Sequence, residues 1–237
     1  MLPPNSLPPP EGGSTRTQIV NIDLETKIHS REVLQVGIVD SKGAAVLDCL
    51  TRYSEGVTAP SVSSSSGPAT WRQRQWKKKV RHYTTVNGTL DAKGVVRKLR
   101  ANGIDKDTIF VAWATWPLDL NYLRLWLEDE KFEDILPGDE NVCMLMSEFR
   151  ANFKSMLGTT CYRGRAFPLT LSVLFVVFFG NTHDLAGRNH HALYDAQQTA
   201  LLMTLFEDLC RHPHELVFFK GCGATNMGSR KRQISIE

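Results

Sequence analysis

The order of apolar runs predicts an α/β domain: a mixed sheet of five strands, flanked by helices. Two observations carry this. Three short runs rich in β-branched residues follow one another with little between them, as an antiparallel meander does. After a Ser-rich and basic interval, helical and strand-like patterns alternate, which adds parallel strands and covers the faces of the sheet.

The first three strands are expected at Gln18–Glu25, at VLQVGIVD (33–40) and at AAVLDCL (44–50), the last two joined by the turn Ser41-Lys42-Gly43. In the second of them Leu34, Val36 and Ile38 share one face. LDAKGVVRKLRANG (90–103) has helical spacing at Leu90, Val95, Val96 and Leu99, with Gly103 as its stop. TIFVAW (108–113) is a short apolar strand, and DLNYLRLWLEDE (119–130) is a helix with Leu120, Leu123, Trp126 and Leu127 near one face. NVCMLM (141–146) supplies the fifth strand, and LTLSVLFVVFF (169–179) reads as a buried helix. The final helix, capped by Asn189 or His190, carries the stripe Leu193, Ala200, Leu201, Leu205 and Leu209.

The chain has 237 residues and is 42% hydrophobic, enough for one sizeable domain with tails. Residues 1–16 are rich in Pro, Gly and Ser, and read as a disordered leader that offers a place for a protein partner. The leader has no apolar core of the kind a signal peptide needs. The longest apolar run, Leu171–Phe179, is too short to cross a bilayer, so no membrane partner is expected. Five cysteines without a C-x-x-C pair suit free thiols in a reducing compartment, hence an intracellular protein, cytoplasmic or nuclear. The net charge of +3 is mild, and where it sits matters more than its size.

The chemistry-bearing residues are acidic. In IDLET, Asp23 and Glu25 stand two apart on a strand, so both leave one face, roughly 6–7 Å apart along the chain. Such a pair is either a solvent-facing strand side or half of a cation site. Asp119 opens a helix, where a carboxylate complements the macrodipole or caps free N–H groups. Asp195 lies in the first turns of an apolar helix, where a carboxylate near the packing surface needs a partner. His190 precedes it by five positions, with a capping or surface role as its plainer reading. Four oxygen-donor side chains at element ends bordering one sheet can converge on a pair of divalent ions. Hard donors of this kind select Mg²⁺ or Mn²⁺.

In VNIDLET with QVGIV downstream, in FVAWATWPLDLNYLR and in HHALYDA, the chain resembles the DEDDh 3′–5′ exonucleases of the ribonuclease H-like fold. The resemblance covers roughly residues 18–210, with all five motif positions filled in order. Two departures stand out: Trp113-Ala114 where the family often has a small polar pair, and one additional residue before Asp119. The resemblance implies that Asp23, Glu25 and Asp195 hold one ion, and that Asp23 reaches a second with Asp119 acting through water. It further implies that His190 is the general base for hydrolysis of RNA or DNA from the 3′ end to nucleoside 5′-monophosphates. Residues 17–215 would then form the exonuclease domain, with an insertion at about 60–82 and a basic C-terminal extension over 216–237. Many relatives pair up, so a homodimer is one possible assembly.

The segment WRQRQWKKKVRHY (71–83) interleaves Arg72, Arg74, Lys77, Lys78, Lys79 and Arg81 with Trp71, Trp76 and Tyr83. Basic residues track phosphates and aromatics stack on unpaired bases, which suits single-stranded 3′ ends. A solvated helix face or a localisation signal has the same composition. Cys210, His212, His214 and Cys222 do not follow a familiar zinc spacing. The alternatives to an enzyme are a nucleic-acid-binding or scaffold protein of the same fold without turnover, and an interaction domain that recruits through the leader or the basic segment.

Overall fold

The computed structural model describes residues 18–27, 32–55, 71–152 and 168–211. The leader, the Ser-rich stretch at 61–68 and the C-terminal extension lie outside the described residues, as do Cys161, His212, His214 and Cys222. Among the described residues Cys49, Cys143 and Cys210 are free thiols. Among the described residues no helix is long and apolar enough to cross a membrane.

Strands β1 (Ile19–Thr26), β2 (Val33–Asp40) and β3 (Ala45–Arg52) form the expected antiparallel meander. Strand β5 (Ile109–Ala112) pairs parallel to β1, and β6 (Val142–Met144) pairs parallel to β5. The sheet has six strands rather than five, in the order β4-β3-β2-β1-β5-β6. This is the expected mixed sheet, antiparallel and parallel, with one strand added at its edge. The added strand, β4 (Thr89–Asp91), takes Leu90 out of the expected helix. A turn and a distant strand make it: Asn87-Gly88, with Gly88 at φ +65°, turns the chain alongside β3, and Leu50 N–H donates to the Gly88 carbonyl at 2.9 Å. Asp91 then caps helix α2 (Ala92–Ala101) by accepting from Gly94 N–H at 2.8 Å. The basic segment is itself a helix, here named α1 (Trp71–Arg81), and its Val80 is fully buried.

The sheet is covered on both faces. On one, Val20, Ile22 and Leu24 of β1 and Phe110 of β5 pack against α2 and helix α3 (Leu118–Asp129), through Val95, Leu99, Leu120, Leu123 and Leu127. On the other lie α4 (Leu145–Asn152), α5 (Leu171–Phe179) and α6 (Ala192–Arg211), with Leu145, Phe149, Leu174, Phe175 and Leu202 enclosing Val111. Helix α5 is less enclosed than its composition predicts: Leu174 and Phe175 are buried, while Val173, Val176 and Val177 are exposed. The last strand is shorter than expected because Leu145 and Met146 already belong to α4. Helix α6 begins later than Asn189 or His190, since His191 is the residue whose carbonyl accepts from Asp195 N–H at 3.0 Å.

Strand β2 is buried on both faces, because its Gln35-Gly37-Val39 side lies under the start of α6. Gly37 is what allows the approach. A Cβ there would overlap the backbone of Ala192 and Leu193. Since Gly37 pairs with Asp23, the missing side chain also sets how near the first turn of α6 comes to β1. Gly37→Ala should therefore cost about 3 kcal/mol by overpacking a backbone-lined contact. Chemical denaturation of the two proteins measures it, and a cost near zero would show that α6 can shift freely.

Candidate metal centre

The site lies at the C-terminal ends of the parallel strands β1 and β5. Pairing between them ends at Ile22 and Ala112, so Asp23, Leu24 and Glu25 run on past the last paired residue. A register shift against β2 falls between Glu25 and Thr26. Glu25 is buried although it sits near a strand end, and Asp23 is half-buried.

From β5 the chain turns through 113–117 into α3. Pro117 stands at the helix N-terminus and supplies no side-chain cap. Asp119, in the first turn, does not serve its own helix in that role; its carboxylate accepts from the backbone N–H of Leu24, on β1 between Asp23 and Glu25. The cap reading of Asp119 gives way to a cross-link between α3 and the site strand. The two tryptophans of this loop separate: Trp113 donates Nε1–H to the Leu169 carbonyl at 3.2 Å and packs on Phe149, while Trp116 is 74% exposed.

Asp195 occupies the first turn of α6. Its Oδ2 accepts from His190 N–H at 2.9 Å, while its Oδ1 is buried with no partner among the described residues. His190 adopts φ +65°, a left-handed conformation costly for a residue with a side chain. That conformation turns its imidazole to the exposed side of the helix start. Glu25, His190 and Asp195 each offer a ligand atom, and the three atoms lie within 4.8 Å of one another.

The carboxylates act on one another. Asp23 is raised well above the ordinary carboxylate range, first by burial and then by the charges of Asp119, Asp195 and Glu25. Burial, Asp195 and Asp119 push Glu25 to about 8, with Lys79 opposing. Burial lifts Asp119 to about 7 against the Leu24 hydrogen bond, and Asp195 to about 6 against that of His190. Four such groups cannot all ionise near neutrality without a compensating cation. Hard oxygen donors, one of them the unpartnered Asp195 Oδ1, fit a divalent ion such as Mg²⁺ or Mn²⁺.

The basic helix meets this site at one end. Lys79 is exposed and acts on Glu25. Lys78 is exposed to solvent. Lys77 is instead bound to Glu32, which also draws Lys27 at 3.6 Å and Arg81 at 3.9 Å. The side chains of Arg72 and Arg74 are outside the described residues.

Two residues beyond the motif set shape the site. Gln35 Oε1 accepts from Ala192 N–H at 3.2 Å, and its Nε2 donates to Asp48 Oδ1 at 3.1 Å. The same Nε2 lies 3.2 Å from His191 Nδ1. His191 is buried, with its pKa lowered by that burial, and the Thr84 carbonyl accepts from its ring. The other ring nitrogen, Nε2, lies 3.3 Å from the same Gln35 amide nitrogen. A polar Gln in the apolar run VLQVGIVD was the available sequence signal for this network; His191, beside the motif histidine, carried none.

No protein-family model matches the chain, and no curated protein matches it. Several solved structures are similar to it, two of them of Pan2. One is the Neurospora crassa Pan2 catalytic unit with its protease and nuclease domain: 14% identity and a TM-score of 0.40 over 86% of this chain and 28% of that one. The other is the Saccharomyces cerevisiae Pan2 pseudoubiquitin hydrolase–RNA exonuclease module in complex with AAUUAA RNA: 13% identity and a TM-score of 0.37 over 85% of this chain and 30% of that one. The chain thus spans less than a third of the length of either.

The raised carboxylates fix the sign of a pH effect. In the metal-free protein the folded pKa values exceed the unfolded ones near 4, so the native state holds more protons. The stability they confer is complete below the unfolded values. It is lost as pH rises through about 6 for Asp195, 7 for Asp119 and 8 for Glu25. Each group contributes up to about 1.4 kcal/mol per pH unit within its window. In EDTA the melting temperature should fall between pH 5 and 8, and saturating Mg²⁺ should flatten that fall. A profile that is level in EDTA would contradict the cluster.

Proposed function

We propose that the chain is a metal-dependent 3′–5′ exonuclease of the DEDDh type, acting on single-stranded 3′ ends of RNA or DNA. The observation that carries the reading is the mutual electrostatic action of Asp23, Glu25, Asp119 and Asp195, with His190 within ligand distance of Glu25 and Asp195. Four acidic groups from three elements, gathered where they destabilise one another, are the arrangement expected when a cation belongs among them.

In this reading Asp23, Glu25, Asp119 and Asp195 hold two divalent ions. Bound there, the ions offset charge developing on the attacking and leaving oxygens of a phosphodiester. The protein groups do the rest. His190, exposed and beside the carboxylates, takes the proton of the attacking water. As the new P–O bond forms, the bond from phosphorus to the 3′ oxygen of the penultimate nucleotide breaks. The product is a nucleoside 5′-monophosphate. Asp195 fixes the base by accepting from the His190 backbone, which defines where the imidazole starts. Lys78 and Lys79, exposed on α1, contact phosphates further along the strand.

The test uses 5′-labelled single-stranded RNA and DNA of one sequence with Mg²⁺, Mn²⁺ or EDTA. A metal-dependent ladder shortening from the 3′ end is expected. Asp195→Asn should lower the rate by more than the roughly hundredfold that loss of an outer ligand partner costs. Intact substrate in every lane, with folded protein, would overturn the enzyme reading. Replacing Lys78 and Lys79 with Gln should weaken substrate binding and reduce the slope of log K against log salt by about one to two. An unchanged slope would assign both lysines to a solvated face.

A further inference from the structure

One group beside the carboxylates is left unused by the reading above. Tyr83 follows the C-terminus of α1, its N–H donating to the Val80 carbonyl at 3.0 Å. Its ring is half-buried and stands 4.7 Å, centroid to centroid, from that of His191. His191 in turn stands 4.5 Å from Tyr194, and the Arg188 guanidinium lies 5.0 Å over the Tyr194 ring. The middle of this stack cannot drift, because Gln35 and Thr84 hold the His191 ring. Tyr83 is thereby locked to the start of α6, the segment that carries His190 and Asp195.

The stack accounts for the ring of Tyr83 and leaves its hydroxyl over. Among the described residues no group accepts from it. The hydroxyl lies near enough to Glu25 and Asp195 for their charges to act on it, and a phenol keeps its proton near neutral pH. The acidic residues of the site are acceptors when ionised, and a phosphodiester is an anion. A fixed neutral donor beside them supplies what they lack.

We propose that Tyr83 is a substrate-contacting residue: its hydroxyl donates a hydrogen bond to a non-bridging oxygen of the phosphodiester being hydrolysed, while His191 and Tyr194 position it. The proposal rests on the exonuclease reading and adds a residue outside its motif set. It also gives helix α1 a second purpose, since the helix delivers Tyr83 to the same edge of the site where Lys79 acts on Glu25.

Tyr83→Phe tests it, because the substitution keeps the ring and its stack and removes the donor. Steady-state kinetics on a 5′-labelled oligonucleotide with Mg²⁺ should show kcat lowered at least about tenfold, with KM and melting temperature little changed. Terminal phosphorothioate linkages provide the readout that a purely structural role would not move. Wild-type protein should slow on the diastereomer whose sulfur replaces the accepting oxygen, and the variant should lose that additional penalty. Equal kcat and equal thio penalties in an active pair of proteins would overturn the Tyr83 assignment alone. Absence of nucleotide release by the wild type would overturn the exonuclease reading, and this proposal with it.

Discussion

Repulsion among four carboxylates is the constraint to which the rest of the structure answers. Asp23, Glu25, Asp119 and Asp195 come from β1, α3 and α6, and each is carried to a position where burial and its neighbours oppose its charge. A protein with no use for the cluster would relieve it by one substitution to Asn or Gln. The polar contacts present are too few to offset it: Leu24 N–H on Asp119, His190 N–H on Asp195, and Lys79 acting on Glu25. Protons can fill the gap at low pH, and divalent cations can fill it near neutrality. The scaffold must therefore be stiff enough to hold like charges together when neither is present.

That stiffness has identifiable sources. Gly37 lets the backbone of α6 rest directly on β2. The Gln35 side chain then joins α6 to β3 by bonding Ala192 N–H and Asp48 at once. Asp48 is itself held by Val86 N–H at 2.9 Å on one oxygen, so the tie continues into the segment leading to β4. On the opposite face α3 is anchored through Leu120, next to Asp119, and through Leu123 and Leu127, one and two turns further on, all three buried. Each acidic residue thus sits at the end of an element whose apolar body is fixed in a core. Core packing holds the site against its own repulsion.

Much of this was legible in the sequence, and for a physical reason. Strand alternation fixes Asp23 and Glu25 on one face, and the apolar helices after Asp119 and Asp195 show which elements are packed. Periodicity reports such facts because they are local. What it missed depended on non-local partners. Leu90 carries helical spacing, yet β3 recruits it into β4 once Asn87-Gly88 turns the chain. The valines of α5 read as core and are exposed, because composition cannot say whether a covering layer exists. Lys77 reads like its neighbours on α1, and its ion pair with Glu32, far off in sequence, is not legible there. Asp119 reads as a cap, and only the strand brought beside it by β5 reveals where its carboxylate is used.

The distribution of charge follows the same logic one layer further out. Glu32 gathers Lys27, Lys77 and Arg81, which binds the base of α1 to the turn between β1 and β2. Among the described residues these cations form a basic lip, which Lys78 and Lys79 extend toward Glu25. This lip borders the carboxylate cluster. In the proposed reading an anionic strand is drawn to the lip, and the cluster accepts its phosphate once divalent ions offset the carboxylates. In the proposed reading the repulsion that strains the metal-free site is also what makes substrate entry conditional on the metal. In that reading Lys79 and Tyr83 offer one charged and one neutral donor where the lip meets the carboxylates.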